Sequence, residues 1–587
     1  MSSISFRETL HGKRLLLFGG TGFLGKVWLA MVLHYVPDVE HVFMVVRERY
    51  NSDGDVILDS EARFWSQVAT SAVFDPLRAT HGADFDDFLR RKVTPIPGDV
   101  EHVYGGVPDD VRDQMRGRVD ALVNSAGLVD FNPPLDYALK ANAFGMQNLV
   151  ALARDLGDIP FLHTSTCYVA GGRTGEVPEV DPRSFPFPRA DELDPSLWSA
   201  DREISECVDL VEHVRHRTND AFRQADFQQT ARDNLRERGE PTRGEALVVE
   251  TKKVRAKYEK SRLSEVGMER ATFWGWHNTY TYTKSIGEQV LADSGLRFTL
   301  VRPAIIESAV GFPQVGWNEG INTSAPVIYL GLKAPGRFPT SETSILDVIP
   351  VDHVAAGMIA ALTELLDDSH QPVYQLGSSD VNPLHMPRFV EIVAMYKRKK
   401  LRRAGASPLD RVMARIEPTA MTADAYVKRG PRQVSELASK ASGWLKRLRT
   451  TPLAPVVQPA VKSLDTASKQ LSVKAYILDQ FLPFMATHTY RFSTLNVRAA
   501  IARMPEDEQA LLDYHPEAID WRHYLQEVHV PGLEENCFPL IEAKMVRDKQ
   551  PLASYDHLID LLDEVAERYE RMPALMRTED DGLSRVS

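Results

Sequence analysis

Three features of the sequence predict an α/β fold, a doubly wound parallel sheet carrying a helical insertion and followed by a mainly helical C-terminal domain. Short apolar runs alternate with helix-patterned segments from residue 14 to residue 302, and strands separated by helices pair in parallel through crossovers. Between Val180 and Thr272 the pattern becomes polar, charged and helix-favouring, as in SADREISECVDLVEHVRHRTNDAFRQADFQQTARDNLRERG. Beyond about Gln375 no strand–helix–strand pattern recurs. The expected division is therefore a first domain over 1–375, with the insertion at 180–272 near its substrate side, and a helical domain over 376–587.

The elements follow in order. Arg14–Phe18 is an apolar strand that ends in glycines, and 22–35 has helical spacing. HVFMVV at 41–46 is a second buried strand, with further strands expected at 93–96, 119–123, 159–165 and 297–302. Residues 134–156 and 280–292 read as helices on their apolar periodicity.

Composition narrows the class. At 587 residues the chain is too long for one ordinary core. Its 43% apolar and 26% charged content is that of a soluble globular enzyme. The three cysteines, Cys167, Cys207 and Cys537, are odd in number and lack CxxC spacing, which speaks against a disulfide framework or a zinc site. The 17 histidines form no HExxH cluster, so no metal is expected. MSSISFRETLHGKR lacks the apolar core of a signal peptide, and no run approaches the ~18 apolar residues of a membrane span. A cytoplasmic location is expected.

LLLFGGTGFLG places Gly19, Gly22 and Gly25 at three-residue spacing, after the first strand and at the start of a helix. Glycines there permit a tight turn, approach of backbone to a pyrophosphate, and close helix packing. Free N–H groups at the helix start favour the phosphates. This is the fingerprint of a Rossmann-type dinucleotide site, with Thr21, Phe23 and Leu24 of the same turn lining it. The second strand ends in VVR. An acidic residue there would bind the ribose hydroxyl of NAD, whereas Arg47, with Arg49 beside it, suits the 2′-phosphate of NADPH. Asp99 and Val100 follow the third strand and are expected at the adenine. Ser125, Ala126 and Gly127 follow the fourth and are expected to line the cleft. Asn142, in the next helix, reads equally as a cofactor contact or as a structural hydrogen bond.

Tyr280 and Lys284 form a Tyr-x-x-x-Lys pair on one helix face. A free tyrosine, with a pKa of about 10, is a poor acid–base group near neutrality. The lysine ammonium is expected to pull that value down, and Lys284 also to bind the nicotinamide ribose. Tyr282 lies one step off this face. Thr166, in HTSTCYVAG at the end of the fifth strand, is placed to donate a hydrogen bond to a carbonyl oxygen beside Tyr280. Cys167 next to it has no partner base and reads as a core residue.

The set GGTGFLGKVWL, VVR, HTSTCYVAG, NTYTYTKSIGEQVL, VRPAII and IPVDHV resembles the fatty acyl-CoA reductases of the extended short-chain dehydrogenase/reductase superfamily. The resemblance spans about 12–180 and 275–375. It resumes at FSTLNVRAAIARM and AIDWRHYLQEVHVPGLEE, which are similar to that family's C-terminal domain. Tyr282 stands where phenylalanine is common, and the insertion and a basic segment depart from the usual pattern. The resemblance implies hydride reduction of a long-chain acyl-CoA thioester by NADPH, with Thr166 and Tyr280 holding the oxyanion and Pro303 and Ile305 near the nicotinamide. Release of CoA and an aldehyde would follow, then reduction of the aldehyde to an alcohol. Related reductases acting on carrier-bound thioesters, sterols or nucleotide-sugars, and a non-catalytic NADP sensor, are the alternatives; a sensor has no need to keep Thr166, Tyr280 and Lys284 together.

The net charge of -12 hides a segregation: residues 397–474 hold 18 Lys and Arg against five Asp and Glu. YKRKKLRRAG, RVMARI and SGWLKRLRT alternate with apolar residues such as Trp444, Leu445, Leu448, Leu471, Tyr476 and Phe481. Two expectations compete, peripheral contact with an anionic membrane and an ordinary helical domain with solvated arginines. No nucleic-acid motif accompanies the charge.

Overall fold

The computed structural model describes residues 3–51, 54–321, 324–333, 337–403, 418–447 and 454–547. Its chain divides into two compact units.

The first unit holds a seven-stranded parallel sheet. Its strands are β1 (Arg14–Phe18), β2 (His41–Val46), β3 (Val93–Pro97), β4 (Ala121–Asn124), β5 (Phe161–Thr164), β6 (Phe298–Pro303) and β7 (Val373–Leu376). They lie in the order β3-β2-β1-β4-β5-β6-β7. Leu15–Leu17 pairs with Val42–Met44 on one side and with Ala121–Val123 on the other. Near-continuous burial explains the apolar runs, because helices cover both faces of a parallel sheet. Leu16, Leu122, Phe161 and Leu300 share one cluster with Met146, Leu149 and Leu152. Strand order reverses at β1 and β4, and the crevice beyond their carboxyl ends is where such sheets bind ligands.

The six expected strands are present within a few residues of their expected bounds. β7 was not expected. Between the fourth and fifth strands a short helix (Leu135–Ala138) passes through a π-helical turn (Leu139–Phe144) into α2 (Gly145–Asp155), while α1 (Phe23–Tyr35) follows β1. The insertion is three helices, α3 (Ala200–Thr218), α4 (Ala221–Arg238) and α5 (Glu245–Trp274), and α6 (Thr279–Ala292) follows at once.

The two units have no single boundary near residue 375. Of the described residues, the first unit holds those within 3–317, 347–383 and 490–519, and the second those within 318–346, 384–489 and 520–547. Residues 490–519 belong with the first unit because they bond to β7, with Asn496 donating to the Val373 carbonyl and Gln375 to that of Ser493, and to the segment 175–179. Tyr490–Phe492 pairs in parallel with Gly175–Val177. The Glu179 carboxylate accepts the N–H groups of both Gln375 (2.8 Å) and Asn496 (2.9 Å). Glu508 accepts the backbone N–H of Phe6 at 2.8 Å, at the start of the helix Phe6–Leu10.

The second unit contains α7 (Met386–Arg403), α8 (Ala423–Arg429), α9 (Pro431–Lys446) and α10 (Ala454–Leu482). Two short strands, Arg337–Pro339 and Thr419–Met421, pair in parallel within it. RVMARI, Leu448 and the end of SGWLKRLRT lie outside the described residues. Among the described residues no helix is long and apolar enough to cross a membrane.

Candidate active site

The glycine turn has no room for side chains. Gly19 adopts φ +84°, and a Cβ there would sit 2.4 Å from backbone atoms of Ser125 and Ala126. A Cβ on Gly25 would lie 2.3 Å from the Gly19 carbonyl oxygen. These two glycines let β1, β4 and α1 converge. Gly22 is exposed and caps α1 with no side-chain hydrogen bond, so the first-turn N–H groups face outward at the positive end of a 13-residue helix. Thr21 and Phe23 are half-buried and Leu24 is buried. The Phe23 ring stacks on Trp317 at 5.2 Å. This is a cradle that fits a pyrophosphate.

At the end of β2 the structure adds a residue the sequence reading missed. Arg63, from the helix Ser60–Gln67, donates to the Arg47 carbonyl oxygen at 2.6 Å and to the Gln67 side chain, to which Arg49 also donates. Burial, then the nearby Arg49 and Arg47, depress the Arg63 pKa. Three clustered guanidinium groups repel one another, and a dianionic phosphate relieves that repulsion. Asp99 pairs with Arg47 at 3.7 Å, and it also caps the Glu101 N–H. The Val100 carbonyl accepts from Asn148, and its side chain packs against the core.

Ser125 donates from both N–H and hydroxyl to the Phe18 carbonyl, tying β4 to β1. The Ala126 N–H is bound by Asn124, whose amide also meets the buried His163 ring at 3.0 Å. The Asn142 amide is spent within the protein: it accepts from the Leu128 N–H and donates to Thr283 at 2.9 Å. Of its two readings the structural one has direct geometry. Gly127 lies against Lys284, since a Cβ there would be 2.8 Å from the ammonium nitrogen.

The catalytic candidates converge at the end of β5. Asn278 caps α6 through the Thr281 N–H, and Tyr280 and Lys284 follow one turn apart. The Thr166 hydroxyl lies beside the Tyr280 phenol, whose pKa it lowers, and reaches the Pro303 carbonyl at 3.4 Å. Lys284 is buried and donates to the Thr164 carbonyl at 2.9 Å. Ile305 lies one residue beyond Pro303's neighbour, its N–H bound to the Asp347 carbonyl.

The expected lowering of the tyrosine pKa is corrected. Burial pushes the Tyr280 phenol up to about 12, outweighing Thr166, which lowers it. Burial likewise brings Lys284 down to about 8, against the Glu288 carboxylate, which raises it. Tyr280 is thus a protonated phenol at neutral pH, the form that donates to a developing oxyanion. Glu288 is itself held by Arg302 in a buried ion pair at 2.6 Å.

Tyr282 has a different task. Its hydroxyl bonds the buried Glu203 of α3, and Cys207 Sγ lies 3.0 Å away. Glu203 also accepts two bonds from Arg270 and one from Trp274 of α5. The insertion is therefore bolted to the catalytic helix by a satisfied buried charge, two residues from Tyr280.

Residues 17–358 match the family described as "Male sterility protein", an NAD-binding domain. The chain belongs to this family. It is 26% identical over 538 residues to "Fatty acyl-CoA reductase 2, chloroplastic" of Arabidopsis thaliana, covering 90% of this chain and 78% of that one. It is 26% identical to "Alcohol-forming fatty acyl-CoA reductase" of Simmondsia chinensis, covering 91% of this chain and 98% of that one. Among solved structures, the reductase (R) domain of a non-ribosomal peptide synthetase from Mycobacterium tuberculosis aligns at 16% identity and a TM-score of 0.45, covering 88% and 92%.

Proposed function

We propose that this chain is an NADPH-dependent fatty acyl-CoA reductase that forms an aldehyde and carries it on to the alcohol. The observation that carries the reading is the Thr166–Tyr280 hydroxyl pair with Lys284 one turn behind it, beside a turn whose Gly19 and Gly25 have no room for a Cβ. The names of the relatives supply the substrate class.

NADPH, when bound, supplies the hydride. The chain supplies the rest. The open start of α1 binds the pyrophosphate, and Arg47, Arg49 and Arg63 bind the 2′-phosphate. Lys284 orients the nicotinamide ribose and places a positive charge near Tyr280. Thr166 and Tyr280 donate hydrogen bonds to the thioester oxygen as it gains charge, and Tyr280 gives up its proton. The resulting hemithioacetal expels CoA and leaves the aldehyde, whose carbonyl meets the same two donors in a second round that consumes a second NADPH. The three cysteines are buried thiols outside any disulfide, which suits a reducing cytoplasm.

The deciding assay incubates purified protein with NADPH and palmitoyl-CoA, following NADPH absorbance together with aldehyde and alcohol. Acyl-CoA-dependent oxidation of NADPH with alcohol accumulating is expected. NADPH oxidation that ignores the acyl-CoA would overturn the reading.

Cofactor choice is a separate expectation. The unaltered protein should prefer NADPH to NADH in kcat/KM, and Arg47→Ala and Arg63→Ala should each remove a large part of that preference while leaving the NADH reaction nearly unchanged. A charge-assisted bond is worth roughly 1.5–3 kcal/mol, so each loss is on the order of 10- to 100-fold. Equal efficiency with both cofactors in the unaltered protein refutes it.

A further inference from the structure

The basic segment splits into two parts with different fates. In α7, Lys400 pairs with Glu534 at 2.7 Å and Lys399 pairs with Glu527, so that part is spent inside the second unit. The helices α9 and α10 form an antiparallel hairpin beyond it. Arg432 pairs with Asp479 at 2.6 Å near one end, and Lys446 with Asp465 at 2.9 Å near the other. Between them Ser435 and Ser442 are buried in the seam, with Ser435 2.7 Å from Ser472.

The seam uses only part of the apolar face of α9. Val434, Leu437, Ala441 and Trp444 recur at i, i+3, i+7 and i+10, a single stripe along the helix. It is open to solvent: Leu437 is 65% exposed and Trp444 62%. Lys440 and Arg447 follow Leu437 and Trp444 by three positions and flank the stripe. Neither forms an ion pair among the described residues, and the same holds for Lys428 and Arg429 of α8, next to the exposed Val427.

We infer that this face of the hairpin docks on an anionic lipid bilayer, with Trp444 and Leu437 entering the headgroup boundary and the unpaired cations contacting lipid phosphates. Charge complementarity selects this occupant. The chain carries -12 overall although 397–474 holds 18 cations against five carboxylates. The remainder is strongly acidic and is repelled by the same surface, so the hairpin meets it first. A second copy fits worse, because a two-fold contact across the stripe sets Lys440 and Arg447 against their own counterparts. Nucleic acid offers phosphates but nothing to cover four apolar side chains in a row. A bilayer answers both features, and it is also where long-chain acyl groups partition.

The test is cosedimentation of the full chain with vesicles of phosphatidylcholine alone or with phosphatidylserine added, at low and high salt. Binding to the anionic vesicles at low salt, at least tenfold weaker at high salt, is expected. The double variant Leu437→Glu, Trp444→Glu should lose binding by tenfold or more, yet keep its circular dichroism spectrum and its turnover of a soluble short-chain acyl-CoA. Binding that ignores lipid charge, or a double variant that binds like the parent, overturns the assignment. So does a fall in sedimentation mass on making the variant, which would make the stripe a contact between copies. Vesicle binding is read without turnover, so it stands or falls apart from the reductase reading.

Discussion

Replacing Tyr280 by phenylalanine is expected to lower acyl-CoA reduction by roughly a thousandfold while NADPH affinity stays within about twofold of the parent. The substitution keeps the ring, its 6.2 Å neighbour Phe131 and the backbone of α6, and removes only the hydroxyl that meets Thr166. Loss of one proton donor that is also an oxyanion donor costs about 3–4 kcal/mol of transition-state stabilisation. Steady-state kinetics with palmitoyl-CoA, and NADPH titration by fluorescence, separate the two effects; near-normal turnover would mean the acid lies elsewhere. The pH dependence follows from the neighbouring lysine. Lys284 is cationic below about 8 and loses its charge as pH rises through that value, whereas Tyr280, at about 12, keeps its proton throughout. The kcat/KM profile of the unaltered enzyme should therefore fall on its alkaline side near pH 8. A plateau extending to pH 10 would show that the lysine charge is not required.

The second large effect is expected from Gly25→Ala. The added carbon would lie 2.3 Å from the Gly19 carbonyl oxygen and 2.9 Å from the Gly20 Cα. Both obstacles are backbone, so no rotamer change relieves them, and α1 must move away from the turn. Overpacking of this kind costs about 1–3 kcal/mol. The displaced helix start should weaken NADPH binding by tenfold or more and lower the melting temperature by several degrees. Gly443→Ala, in α9, is the control, because nothing lies within 4 Å of its added carbon; it should leave both measurements unchanged or slightly improve stability. An unshifted NADPH titration for Gly25→Ala would show that the turn does not hold the cofactor.

Those glycines and the Tyr280–Lys284 pair were legible because each depends on local spacing beside a strand or along a helix. The six strands were legible because burial on both faces writes a continuous apolar run. β7 escaped the same reading. Its Gln375 is buried, with its side-chain amide donating to the Val177 and Ser493 carbonyls, so a polar residue occupies a core position for reasons set by distant chain. Arg63 was missed because its approach to Arg47 spans 16 residues and two elements. Glu203 was hidden in a stretch that reads as solvated charge, and only the packing of α3 and α5 on α6 reveals that it is buried. The direction of the Tyr280 pKa was misread for a related reason: spacing along a helix reports the lysine but not the burial that outweighs it.

The return of residues 490–519 to the sheet bears on how the molecule is made. The carboxylate that accepts the N–H of Phe6, at the start of the helix Phe6–Leu10, belongs to Glu508, 502 residues further along the chain. The strand beside Gly175–Val177 likewise arrives more than three hundred residues after its partner. The nucleotide-binding unit therefore gains these contacts only after residues 490–519 have been made. Contacts this far apart in sequence slow folding, and they tie a finished cofactor domain to a segment made long after its glycine turn.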